Sequence, residues 1–147
     1  MDMIFGSYPS WSLLIVRVVL GIIFFAHGAQ KVFGWFDGPG LRGTIGYFKQ
    51  SLGIPAGATV LAAFTECFGG LAVLVGLLAR PAALGLIMVM LVAVATVHWK
   101  NGFFLNWSNT PGKGHGFEFN LALIGMALAV LVGGAGRFAV DRLINPW

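Results

Sequence analysis

Six ionisable residues, Arg17, His27, Lys31, Glu66, His98 and Glu118, stand within or at the edge of long apolar runs. Imidazoles and carboxylates are the side chains that move protons in general acid–base chemistry. A lysine ammonium or an imidazole can also donate a hydrogen bond to a ligand oxygen. In an apolar medium these groups are expensive: a charge at the centre of a bilayer costs at least about 2.5 kcal/mol. They therefore face a bundle interior, find partners, and mark the place where function is written. Glu66 is the most demanding of them, because it stands twelve residues from either end of its apolar run, near the expected midplane.

The elements that must position these groups are four apolar segments, at about 13–33, 54–78, 81–99 and 117–134. Each approaches the roughly 20 residues that a spanning helix needs. Pro55 and Pro81 fall in first turns, where a missing N–H costs little. Gly34, Gly53 and the run Gly133-Gly134-Ala135-Gly136 mark helix ends. The pattern predicts an all-α membrane protein, a four-transmembrane-helix bundle forming one domain over residues 1–147. An even number of spans puts both termini on one side, expected to be the cytoplasmic one. The lysines and arginines are too evenly shared between the two sides to fix orientation by charge.

Composition supports this class. Of 147 residues, 58% are hydrophobic and 10% charged, where a soluble domain carries about 25% charged. The net charge of +4 does not signal nucleic acid, since the basic residues are scattered and form no stripe. The expected partner is the lipid bilayer. Cys67 is the single cysteine, which excludes an internal disulfide and a Cys-x-x-Cys redox pair. A cleaved signal peptide is not expected, because the N-terminal stretch carries Asp2 and lacks a basic region.

Helix one and helix two are joined through Gly34–Gly53, with Trp35, Phe36, Tyr47 and Phe48. Helix three and helix four are joined through Lys100–Gly116, with Phe103, Phe104 and Trp107. Both are expected to be long aromatic loops capping one side of the bundle, as suits a membrane–water interface. A weak tandem symmetry accompanies them: His27 and Lys31, then His98 and Lys100, each precede an aromatic connection and a helix bearing Glu66 or Glu118. Repeats of this kind place sites at the repeat interface.

On helix one, Arg17, Gly21, Phe24, Gly28 and Lys31 share a face. On helix four, Glu118, Ala122, Gly125, Ala129 and Gly133 make a small-residue stripe, expected to be a packed face. Such stripes serve a homo-oligomer equally well. His27, Lys31, His98 and Glu118 are expected to form an upper polar shell, with Glu66 as its floor, roughly 18 Å below the loop-side end of helix two. Arg17 is expected to snorkel or to form a structural ion pair with Glu66 or Asp141. No metal is expected, since neither glutamate has a histidine at helical spacing.

Several stretches together resemble the DoxX family: Arg17, Phe24-Phe25, His27-Gly28, Lys31 and Gly34; Glu66 with Gly69-Gly70, Gly76-Leu77-Leu78 and Arg80; and Glu118 with Gly134, Gly136 and Asp141. The resemblance covers nearly the whole chain. It implies a small four-helix protein of the bacterial or archaeal inner membrane, similar to the membrane subunit of a thiosulfate:quinone oxidoreductase. Some members of that family are associated with thiol and oxidative-stress defence. On this footing the expected function is a membrane subunit of a redox system that binds a quinone or a similar small redox molecule. Soluble redox enzymes would be its partners. His27, Glu66 and Glu118 are then the proton-handling candidates. Lys31 and His98 would contact the quinone oxygens, and Trp35 and Phe104 would cover its ring. The alternatives are a non-catalytic membrane scaffold for soluble redox or stress-defence enzymes, which would dock on the aromatic loops, and a small transporter.

Overall fold

The computed structural model describes residues 2–145. Among them every regular element is helical. A short α1 (Asp2–Phe5) precedes α2 (Trp11–Val32). Then come α3 (Gly40–Leu52), α4 (Ala56–Val75), α5 (Ala79–Asn101), α6 (Glu118–Gly133) and a short α7 (Asp141–Ile144). Three of these, α2, α4 and α5, have 22, 20 and 23 residues and are apolar enough to cross a membrane. The fourth apolar helix, α6, has 16 residues, about 24 Å at the usual helical rise.

The first long connection is not the loop expected from its glycines and aromatics. Its residues 40–52 form α3, whose end is set by Gly53 in the left-handed conformation, with its N–H returned to the Phe48 carbonyl. Glycine spacing concealed an amphipathic helix that lies over the bundle end, where Phe48 comes within 6.0 Å of Lys31.

The core is apolar and tight. Leu20 and Phe24 of α2, Val73 of α4, Leu86 of α5, and Leu123 and Val130 of α6 are buried together. The α2–α4 contact is set by glycine at positions of close approach. A Cβ on Gly28 would lie 2.2 Å from the Cys67 nitrogen, and one on Gly70 would lie 2.5 Å from the Phe25 nitrogen. Any side chain there would force the helices apart.

On α6 the packed face is Asn120, Leu123, Ala127 and Val130. Ala122, Gly125 and Ala129 of the expected small-residue face are exposed, and a Cβ on Gly125 would meet nothing within 4 Å. Larger side chains fill the core there, and the small stripe is left on the outside.

At the end opposite α3, the chain ties its own ends together. Tyr8 N–H donates to the Gly133 carbonyl at 3.1 Å, and Gly136 N–H to Ser7 Oγ at 2.7 Å. Arg80 donates to the carbonyls of Gly6 and Leu131.

Candidate functional site

Arg17 and Asp141 both belong to that tied end. Arg17 donates to the carbonyls of Val73 and Leu74, at the C-terminus of α4, and to those of Arg137 and Phe138. Asp141 accepts the N–H groups of Leu78 at 2.7 Å and Ala79 at 2.9 Å, at the N-terminus of α5. Each charge meets the helix end whose orphan groups and dipole suit it. The direct Arg17–Asp141 or Arg17–Glu66 ion pair expected from the sequence is therefore replaced by two helix caps on either side of the α4–α5 turn.

The direct side-chain ion pair among the described residues is Lys31–Glu66. Lys31 Nζ contacts both carboxylate oxygens of Glu66, with Oε1 at 2.6 Å. The local structure explains the choice of partner. Gly28 lets α2 rest against Cys67, and Lys31 lies one turn beyond Gly28, so its ammonium arrives at the residue preceding Cys67. Glu66 lies in a π-helical segment, Thr65–Gly69, within α4. Such segments appear mostly as single-turn bulges and are frequent at functional sites. A second π segment, Val94–His98, lies in α5 and ends on another candidate residue.

These side chains line a cavity of about 460 Å³ between α2, α5, α6 and the 102–117 connection. His27, Lys31, Glu66 and His98 all contribute to its wall, together with His115 and Asn120. The remaining lining is apolar, including Phe24, Met90 and Leu123. Four of the candidate residues are thus brought together. Glu118 is not among them. Its Oε1 accepts from Leu105 N–H at 2.9 Å and from Trp107 Nε1 at 3.1 Å, which uses the carboxylate to shape the loop at the start of α6. Trp35 and Phe104 line neither this cavity nor a second one between α4 and α5. Trp35 packs on Phe25, Phe33 and Phe36, and Phe104 on Phe103.

His115 and Asn120 were missed. His115 is the third histidine of the chain and sits in a polar, glycine-rich stretch that sequence reading treats as plain loop. A single asparagine in an apolar helix is itself a signal, since such polar groups face a bundle interior. Asn120 is buried and donates to Met90 Sδ at 3.4 Å.

Two of the three histidines are oriented by backbone. His98 Nδ1 is 2.9 Å from the His115 carbonyl, so that nitrogen carries the proton and the neutral ring keeps its lone pair on Nε2. His115 Nδ1 accepts the Asn106 N–H at 3.1 Å, so its neutral ring carries the proton on Nε2. Asn106 is buried and holds the loop by bonds to Thr110 and Lys113. His27 has no hydrogen-bond partner among the described residues. The cavity is thus lined by two imidazoles whose Nδ1 atoms are held by backbone, one imidazole that is not, and an ion pair. Among the described residues no three His, Cys, Asp or Glu side chains converge as a metal ligand set would.

An all-helical bundle whose long helices are apolar enough to cross a bilayer is the architecture of a small integral membrane protein. The DoxX family model matches residues 12–99, and the chain belongs to the DoxX family. It is 30% identical to "Putative oxidoreductase CatD" of Bacillus subtilis, over 89% of this chain and 85% of that protein. It is 31% identical to "Uncharacterized membrane protein Rv3486" of Mycobacterium tuberculosis, over 95% and 91% of the two chains. It is 30% identical to "Inner membrane protein YqjF" of Escherichia coli, over 90% and 92%. No solved structure matches the chain significantly.

Proposed function

We propose that this protein is the quinone-binding membrane subunit of an inner-membrane redox system, with α2, α4, α5 and α6 all spanning the bilayer. The observation that carries the reading is the cavity in which Lys31–Glu66 and three histidines meet an otherwise apolar wall. A quinone is a flat apolar ring with two carbonyl oxygens, and its reduction takes up two electrons and two protons. The ring suits the apolar lining. The oxygens suit the donors His115 Nε2–H and Lys31. The protons suit His27 and Glu66, which are acid–base groups of the same wall. Electrons would come from a soluble redox partner docked at the α3 and 102–117 end, where Phe104 and Trp107 are exposed. The name of the Bacillus relative as an oxidoreductase is consistent with this role.

The test is gentle extraction of the protein from its native membrane, with bound lipids identified by mass spectrometry. Near-stoichiometric quinone is expected with the wild type and strong depletion with the double variant His27→Ala/Glu66→Gln. No quinone enrichment with the wild type would overturn the proposal.

A further inference from the structure

A second cavity, of about 380 Å³, lies on the other side of the Lys31–Glu66 pair. It runs between α4 and α5 and is covered at one end by Phe48 and Leu52 of α3. Along α5 it extends from Gly85 to Val97, a length of roughly 18 Å. It lacks the histidines and the asparagine of the first cavity. Apart from Lys31, Glu66 and two threonines, its lining is wholly apolar. Leu61, Met88 and Val92 at its rim are exposed on helices that cross the bilayer, so it opens sideways towards lipid.

The two cavities share Lys31, Glu66 and Ala93 as wall. The partition is therefore made of the Lys31–Glu66 pair and one methyl group, with no helix between the two cavities. Both π segments border the second cavity, through Thr65 and Glu66 on one wall and Thr96 and Val97 on the other.

We infer that the second cavity holds the hydrocarbon tail of the ligand whose polar head occupies the first, so that the ligand is a lipid-tailed molecule entering sideways from the bilayer between α4 and α5, past the Lys31–Glu66 pair. This rests on the quinone reading for the identity of the head. A tail gains little by exchanging lipid for an apolar groove, because lipid chains are as apolar as leucine. The groove therefore supplies a path and a place for the tail, and the head supplies the affinity. Blocking the groove should penalise tailed ligands alone.

The experiment uses the full chain in lipid nanodiscs and two probes: a benzoquinone without a side chain and the same headgroup with an isoprenoid chain. Ala58→Phe and Thr96→Phe each place a ring in the groove from a different helix, at positions exposed on the helix surface. For each probe the variant is compared with the wild type, which cancels partitioning into lipid. The expected result is at least about tenfold weaker binding of the tailed quinone and unchanged binding of the tailless one, in both variants. Unchanged binding of both probes, or equal loss of both, would overturn the tail site while leaving the quinone reading intact. Failure of both probes to bind the wild type would overturn the quinone reading, and the tail site with it, and binding of the tailless probe alone would overturn the tail site only.

Discussion

A carboxylate buried as deeply as Glu66, with 5% of its side chain accessible, survives in an apolar bundle because Lys31 lies against it. The two members are not equivalent. Lys31 keeps 26% of its side chain accessible and can turn its ammonium towards water if left alone. Glu66 has no such escape. Lys31→Met should therefore destabilise the protein more than Glu66→Gln, with a cost of about 3 kcal/mol or more for the charge left behind. The double variant Lys31→Met/Glu66→Leu should recover most of that loss, since a buried pair replaced by apolar groups is often neutral. Thermal unfolding midpoints in detergent would check this order. A double variant melting below both single variants would show that the two residues are not one coupled unit. That ionisable residues in apolar runs converge was legible in the sequence, and His27, Lys31, Glu66 and His98 do share one cavity wall. Which lysine or arginine meets Glu66 was not legible, because it depends on how closely α2 approaches α4.

That approach is a property of the elements. Gly28 and Gly70 let two backbones touch, and the contact presents Lys31 to the π segment carrying Glu66. Gly28→Ala should push α2 off Cys67, with a cost of about 1–3 kcal/mol from overpacking and weaker ligand binding in what remains folded. Gly125→Ala on the exposed side of α6 should be neutral or stabilising by up to about 1 kcal/mol. Parallel unfolding curves and quinone titrations of the two variants would separate them; equal behaviour would contradict the assigned helix faces. The sequence carries small residues in both places, and spacing alone does not say which set packs. Hence the 122–125–129 stripe was read as a packed face, whereas the structure leaves it outside. The long apolar helices were legible to within a few residues because each is a continuous hydrophobic run. α3 was not, because glycines interrupt it, and the π segments were not, because an inserted residue leaves no hydrophobic period of its own. Trp35 and Phe104 were assigned to the ring site on residue type, but the path of a connection is set by its hydrogen bonds. Asn106 and Glu118 direct the 102–117 stretch so that His115 reaches the cavity and Phe104 does not.

At the scale of the whole molecule, the tied termini and the first cavity lie at opposite ends of the bundle. Arg17 and Asp141 cap the α4–α5 turn, and the segments flanking the bundle are laced together beside them. Lys31 lies fourteen residues along α2 from Arg17, roughly 21 Å away. Sites so far apart with no shared partner act independently. Asp141→Ala would leave the N–H groups of Leu78 and Ala79 without their acceptor, at about 1–3 kcal/mol for the buried Ala79 group. The unfolding midpoint should fall markedly, while the folded fraction keeps its affinity for quinone. Glu66→Gln should do the reverse, with a modest loss of stability and a large loss of affinity. Measuring both quantities on the same preparations decides the matter: a fall in affinity that tracked stability in Asp141→Ala would mean that the tied end and the cavity are one cooperative unit, and that the cavity is positioned from across the bundle rather than by the glycine contact beside it.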